Sequence, residues 1–73
     1  MSKVPDMSKV RREMHSYMQD NKTAKVFLTN EGYEVDYYEG KTLLKSEPLH
    51  NHSESYAEDA ADNYVMGIKL LNG

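Results

Sequence analysis

The chain has 73 residues, no cysteine and a formal net charge of −3. These values predict one small domain that has neither disulfides nor thiolate chemistry. A chain of this length buries only roughly 60% of the surface that its unfolded form exposes, so little room is left for a deep active site. The N-terminal segment has no long apolar run, so we expect no signal peptide, no membrane contact and a cytoplasmic location.

The charge is divided unevenly along the chain. Residues 1–25 carry six basic and three acidic side chains, a balance of +3, whereas residues 26–73 carry three basic and nine acidic side chains, a balance of −6. An acidic body repels nucleic acid and anionic membranes and attracts basic partners. The expected partner is therefore a protein with a basic surface, which includes proteins that themselves bind nucleic acid.

The first predicted element is an amphipathic helix from about Met7 to Asp20. Residues 1–6 are predicted to form a flexible tail, so the domain comprises residues 7–73. Apolar residues within this segment recur at helical spacing. They are Met7, Val10, Met14, Tyr17 and Met18.

Alternating apolar residues then predict three strands. Ala24, Val26 and Leu28 define the first, residues 33–37 the second and residues 42–46 the third. Glycines at Glu31-Gly32 and Glu39-Gly40 mark two tight turns, which predicts an antiparallel β-meander. A two-residue turn at Glu39-Gly40 places Val35 opposite Leu44 and Glu34 opposite Lys45. A two-residue turn at Glu31-Gly32, which we prefer, places Leu28 opposite Val35, whereas a three-residue loop would place Phe27 there. Pro48 is expected to end the third strand.

A second amphipathic helix is predicted from Ser53 to Leu71. Ser55 and Glu58 have the spacing of a capping box at its start. Its apolar side, expected to lie on the sheet, comprises Ala57, Ala60, Ala61, Tyr64, Val65, Ile68 and Leu71. The predicted fold is therefore α+β, in the order α-β-β-β-α, with both helices on one face of a three-stranded meander.

Acidic residues on the second helix form the first candidate binding site. Glu54, Glu58 and Asp62 follow each other by four residues, about 6 Å along the helix, and Asp59 lies beside them. Such a row is either a solvated helix face or a surface that imitates the phosphates of nucleic acid and fills a basic groove. If the row imitates phosphates, acidic residues of the sheet and its turns would extend the same surface. They are Glu31, Glu34, Asp36 and Glu39.

Two further surfaces are candidates for binding. Phe27, Tyr38 and Leu43 are predicted on the sheet face away from the helices, where they would support partner binding or a homodimer. The alternative to a protein-binding module is a nucleic-acid-binding domain that uses the basic first helix. Its phosphate contacts would come from Lys9, Arg11, Arg12, Lys22 and Lys25.

Catalytic and metal-binding signatures are absent from the sequence. No motif places a base beside a nucleophile, and no glycine-rich loop could hold a phosphate. His50 and His52 are two residues apart, but metal binding would need a third ligand, so we expect a solvated loop. We therefore expect no enzyme activity, no catalytic residue, no cofactor and no metal.

The predicted element order, together with a second helix that begins with Ser55, Ala57, Ala60 and Ala61, resembles the double-stranded-RNA-binding domain across nearly the whole chain. That family carries a lysine cluster where this chain has His52, Ser53, Glu54 and Glu58.

In size, acidity and element order the chain is also similar to small phage-encoded inhibitors, anti-CRISPR proteins among them, some of which block nucleic-acid sites by acidic mimicry. This resemblance implies a small non-enzymatic module that inhibits or modulates a protein partner.

Overall fold

A computed structural model describes residues 11–71 and contains four strands followed by one helix. The strands are β1 (Arg11–Gln19), β2 (Lys22–Thr29), β3 (Gly32–Glu39) and β4 (Thr42–Leu49), and the helix is α1 (Glu54–Val65). The strands pair in chain order as one antiparallel sheet. The fold is α+β, but the predicted α-β-β-β-α order with a three-stranded meander is wrong, because the observed order is β-β-β-β-α.

The segment predicted as the first helix forms β1 instead. Residues 7–10 of that helix, and the predicted tail, lie outside the described residues. Asp20 adopts a φ of 57° in the two-residue turn after β1, which returns the chain directly onto β2. The sheet then supplies backbone hydrogen-bond partners along the segment, and this tertiary pairing outweighs a local preference for helix.

A β-bulge explains why β1 resembled a helix in sequence. Glu13 and His15 pair with consecutive residues of β2, so Met14 is an extra residue and the alternation changes phase. Met14, Tyr17 and Met18 consequently have the spacing of a helical stripe although the backbone is extended. Met18, one of the residues that predicted an apolar helix side, is 74% exposed.

The core lies between α1 and one face of the sheet. α1 packs across β1, β2 and β3. Tyr37 and Tyr64 meet edge to face with ring centroids 5.0 Å apart, and the Tyr64 hydroxyl donates a hydrogen bond to the Tyr38 carbonyl oxygen. The buried apolar residues are Ala24, Val26, Val35, Tyr37, Leu49, Ala57, Ala61, Tyr64 and Val65. The opposite face of the sheet, here called the open face, carries no helix among residues 11–71.

The predicted strands correspond to β2, β3 and β4, but their register differs from the prediction. Val35 lies opposite Val26 and Glu47, not opposite Leu28 and Leu44. The two turns occupy residues 30–31 and 40–41, each one residue away from its predicted position. The core face of β2 and β3 is nevertheless the predicted one, because shifting the register by two residues leaves each side chain on the same face. In β4 the shift is three residues, so its core face differs from the prediction and carries Leu49.

β4 continues through Pro48, which was expected to end it. Pro48 lies opposite Glu34, where Lys45 was predicted. An edge strand tolerates proline because the missing N–H can be on the side that has no neighbouring strand. Leu44 falls in a second register shift and is 47% exposed, so it leaves the core that the prediction assigned to it.

The N-cap of α1 lies two residues before the start of the predicted capping box. The N-cap is Ser53, whose side-chain oxygen accepts a hydrogen bond from the Tyr56 backbone N–H at 3.2 Å. The proposed pair of Ser55 and Glu58 therefore does not cap the helix. This leaves the Glu58 carboxylate available for contacts with β1.

α1 ends at Val65, six residues before its predicted end. Gly67 has a φ of 83°, and its N–H donates to Tyr64 O while the Ile68 N–H donates to Asn63 O. These two bonds form a Schellman motif, which uses glycine to end a helix. Ile68 is consequently 64% exposed and does not extend the core face of α1.

Candidate functional site: the acidic flank of α1

The side of α1 that faces β1 carries four carboxylates, here called the acidic flank: Glu54, Glu58, Asp59 and Asp62. The helix contains no lysine or arginine. Among residues 11–71, the basic side chain within ion-pairing distance of the flank is that of His15. Four negative charges are thus gathered on one helix side with a single titratable counter-charge.

Tyr17 of β1 shows that these carboxylates share one neighbourhood. Burial raises the pKa of the Tyr17 hydroxyl, and the charges of Glu58, Asp62, Asp59 and Glu54 raise it further, in that order. One hydroxyl therefore lies in the field of all four groups. The flank and the helix-facing side of β1 together form one acidic surface.

His15 joins two of the four carboxylates. Its Nε2 lies 2.7 Å from Glu54 Oε2 and 2.9 Å from Glu58 Oε2. The other oxygen of Glu54, Oε1, accepts a hydrogen bond from the Tyr33 hydroxyl at 3.5 Å. Burial raises the pKa of Tyr33, and the neighbouring Glu54 charge raises it further. All these side chains are partly exposed, so solvent reaches the group.

The four acidic residues predicted to extend this surface from the sheet do not form one area with it. Glu34 and Asp36 lie on the open face, away from α1. Glu31 projects from a turn with its side chain 77% exposed. Glu39 ends β3, where its charge adds to burial in raising the pKa of Tyr64. The acidic residues are thus dispersed over several surfaces.

Glu34 and Asp36 are held by Arg11, which reaches across β2 on the open face. The guanidinium lies 3.2 Å from Glu34 Oε1, 3.1 Å from Asp36 Oδ1 and 4.1 Å from the centre of the Phe27 ring. Ser46 donates a further hydrogen bond to Asp36, which is only 4% exposed. Burial lowers the pKa of Arg11, but the two carboxylates outweigh it and raise the pKa overall. The network therefore has a structural role, because it compensates the charge of the buried Asp36 carboxylate.

We expect Arg11→Met to lower the free energy of unfolding by about 2 kcal/mol, because the buried Asp36 carboxylate loses its counter-charge. Arg12→Met is the matched control. Arg12 is exposed and has no ion pair among the described residues, so its loss should cost about 0.5 kcal/mol or less. Urea unfolding followed by circular dichroism measures both, and equal midpoints would contradict a structural role for Arg11.

The predicted apolar surface of Phe27, Tyr38 and Leu43 is divided. The Arg11 guanidinium covers the Phe27 ring, and Lys25 Nζ lies 5.7 Å from the centre of the Tyr38 ring. Tyr38 and Leu43 are opposite each other on β3 and β4, and Leu43 is 50% exposed. Of the three predicted residues, Tyr38 and Leu43 therefore offer contiguous apolar area, near one end of the open face.

The basic residues assigned to a nucleic-acid-binding helix lie on strands. Lys9 is outside the described residues, and the others are Arg11 and Arg12 of β1 and Lys22 and Lys25 of β2. Arg11 and Lys25 are on the open face with acidic partners, whereas Lys22 lies over the Tyr64 ring on the helix side. A basic first helix is therefore wrong, and its residues do not share one face.

The two histidines of the His50-Asn51-His52 segment do not converge. His50 Nε2 lies 2.9 Å from Glu34, whereas His52 stacks on Tyr56 with ring centres 3.8 Å apart. The group around His15 was missed by sequence reasoning. Its only sequence signal is the four-residue spacing of Glu54 and Glu58, since His15 is 39 residues away from Glu54.

One open depression of about 230 Å³ lies at the end of β1 and β2 and is lined by Arg12, Leu28, Thr29 and Asn30. It offers the Arg12 cation, and its hydroxyl, that of Thr29, donates to the Gly32 carbonyl oxygen and accepts from the Glu31 N–H. Within residues 11–71, no helix combines the length and apolar character needed to cross a membrane.

Comparison with known proteins adds no relative. No family model matches the chain, and neither a curated protein nor a solved structure is significantly similar to it.

Proposed function

We propose that this chain is a small non-enzymatic binding module whose acidic flank binds a basic protein surface and thereby inhibits or modulates that protein. One observation supports this function most directly. Four carboxylates of one helix act electrostatically on Tyr17, and His15 is their one basic neighbour among the residues described. A partner's lysine and arginine side chains would supply the missing positive charge.

The energetic basis is electrostatic complementarity. Like charges held on one helix side repel each other, so a cationic surface is attracted both by the net charge of −3 and by the local field of the flank. Charge pairs that lose their water at an interface can couple by roughly 1.5 kcal/mol or more each. Two or three such pairs would together contribute roughly 3–4.5 kcal/mol to binding.

Imitation of nucleic acid is the specific form of inhibition that we propose. Glu54, Glu58 and Asp62 repeat once per helical turn, about 6 Å apart along the axis, on an element that the sheet holds rigid. A protein groove that binds phosphates would meet a comparable row of anions. The module then acts where such proteins are found, which we propose to be the cytoplasm of the host cell.

The test compares two variants of equal charge. The flank variant carries Glu54→Gln, Glu58→Gln, Asp59→Asn and Asp62→Asn. The control variant changes four exposed acidic residues outside the flank. They are Glu13, Asp20, Glu31 and Glu39, replaced by glutamine or asparagine.

The partner is first captured from a lysate of the native host and identified by mass spectrometry, and its affinity for the three proteins is then measured by calorimetry in EDTA. We expect the flank variant to lose several kcal/mol of binding free energy, because it loses paired charges at the interface. The control variant should lose far less, because its acidic groups act only from a distance.

Competition decides between mimicry and simple charge attraction. A DNA or RNA duplex that binds the partner should displace the wild-type chain. Equal weakening in both variants would show that net charge alone drives binding, and unchanged binding of the flank variant would show that the flank is only a solvated helix face. A gel shift with duplex and the chain alone tests the alternative, direct nucleic-acid binding.

A further inference from the structure

We infer that His15, Glu54 and Glu58 form a binding site for a divalent transition-metal ion of the Zn²⁺ type. The inference goes beyond the proposed binding function and does not need a partner. It is based on one nitrogen and two oxygen ligands from two different elements, β1 and α1, that point to a common position.

The positions of the three donor atoms suit one ion. Nε2 of His15 lies 2.7 and 2.9 Å from the two carboxylate oxygens, and all three donors lie within 4.8 Å of one another. Zinc binds nitrogen and oxygen at about 2.1 Å, so two tetrahedral donors stand about 3.4 Å apart. Small rotations of the partly exposed carboxylates are enough to open the group around an ion.

The charge of the group also favours a divalent cation. Two carboxylates face one imidazole, so the set carries a charge of −2 when His15 is neutral. A single Zn²⁺ balances that charge, whereas a proton on His15 balances only half of it. The binding of the ion also relieves repulsion between Glu54 and Glu58.

Outer contacts and helix geometry hold the donors in place. Glu54 and Glu58 are one helical turn apart, so they present their carboxylates from the same side of α1. The Tyr33 hydroxyl donates to the second oxygen of Glu54, which orients that carboxylate. Such outer hydrogen bonds commonly position metal ligands.

The donor types select the metal. Imidazole suits zinc and neighbouring transition metals, whereas magnesium and calcium prefer sites of oxygen atoms alone. Three protein ligands leave a fourth tetrahedral position for water, or for a donor from a bound partner. We therefore expect Zn²⁺ to bind and Mg²⁺ not to compete.

A second group in the same chain serves as the internal control. Glu31 and Glu34 lie beside His50, but they face different ring nitrogens, Nδ1 at 4.0 Å and Nε2 at 2.9 Å. Arg11 already pairs with Glu34. The three donors of this group also lie within 4.8 Å of one another, but an ion on His50 would compete with the Arg11 guanidinium for Glu34.

The experiment is a calorimetric titration of the chain, freed of metal with EDTA and then dialysed, with ZnCl₂ and separately with MgCl₂. We expect one zinc per chain and no heat from magnesium. His15→Gln and Glu58→Gln should each weaken zinc binding by about tenfold or more, whereas His50→Gln should leave it unchanged.

Thermal unfolding supplies a second measurement on the same proteins. Zinc should raise the Tm of the wild type and of His50→Gln but not that of His15→Gln, because a ligand that binds only the folded state stabilises it. Circular dichroism checks that each variant folds.

A wild type that gives no zinc heat would overturn the inference and leave a hydrogen-bonded cluster, as would an equal loss in His15→Gln and His50→Gln. The partner assay is run in EDTA, so the failure of the metal site and the failure of the proposed function are distinguishable.

Discussion

Ala61→Asp should abolish folding of the domain at room temperature. Ala61 is 0% exposed and lies on the core side of α1, where the sheet leaves no space for a carboxylate and no partner for its charge. An uncompensated buried charge costs about 4 kcal/mol or more, which approaches the whole stability of a domain this small. Far-ultraviolet circular dichroism and a thermal melt measure the loss.

Ile68→Asp is the matched control for this variant. A helix extending to Leu71 would bury Ile68 and make the two substitutions equally damaging. The Schellman motif at Gly67 instead leaves Ile68 64% exposed, so its replacement should cost about 0.5 kcal/mol or less. A variant Ile68→Asp that fails to melt cooperatively would mean that α1 continues beyond Val65.

Gly32→Ala should produce the second largest effect, a loss of roughly 2–4 kcal/mol in the free energy of unfolding. A Cβ atom at this position would lie 2.7 Å from the His50 Cα atom and 2.8 Å from its carbonyl oxygen, and the φ of +133° is strained for any side chain. Because both neighbours are backbone atoms, the clash is relieved only if β3 and the end of β4 separate.

Gly67→Ala measures the cost of a positive φ for a residue with a side chain, without a steric clash. Gly67 also has a positive φ, but nothing lies within 4 Å of a Cβ atom built there. We therefore expect a loss of about 1 kcal/mol from conformation alone. Urea midpoints of the two variants give the difference, and a Gly67→Ala loss as large as that of Gly32→Ala would show that steric contact with His50 is unimportant.

A zinc ion on His15 would change the proposed binding in one of two ways, depending on its fourth ligand. An ion on His15 would neutralise two of the four charges of the acidic flank, so zinc should weaken binding to a basic partner if the fourth position is filled by water. A histidine or carboxylate from the partner in that position would have the opposite effect. Repeating the partner titration with zinc therefore tells which of these two arrangements applies.

Local sequence patterns were sufficient for the elements whose signal lies within a few residues. Alternation in β2 and β3 and the helical spacing of Ala57, Ala61 and Tyr64 predicted both the type of element and the buried side. Alternation and helical periodicity depend only on backbone geometry, so they are readable without knowledge of the neighbours. The acidic side of α1 was readable for the same reason.

Other features depended on neighbours that the sequence does not reveal. β1 is a strand because β2 pairs with it, and its bulge at Met14 gives it the spacing of a helix. The register of β4 depends on the position of the turn before it and on a second irregularity in the pairing. Neither of these can be read from the alternation of apolar residues. Local propensities are small compared with the hydrogen bonds and burial that a sheet supplies, so pairing decides such segments.

The sequence by itself determined the small α+β character, the core side of α1 and the concentration of carboxylates on that helix. Only the tertiary structure decided that His15 meets Glu54 and Glu58, and that Arg11 compensates the buried Asp36. Residues close in the chain are constrained by backbone periodicity. Residues 25 or 39 positions apart come together only when strand pairing and helix packing are both in place.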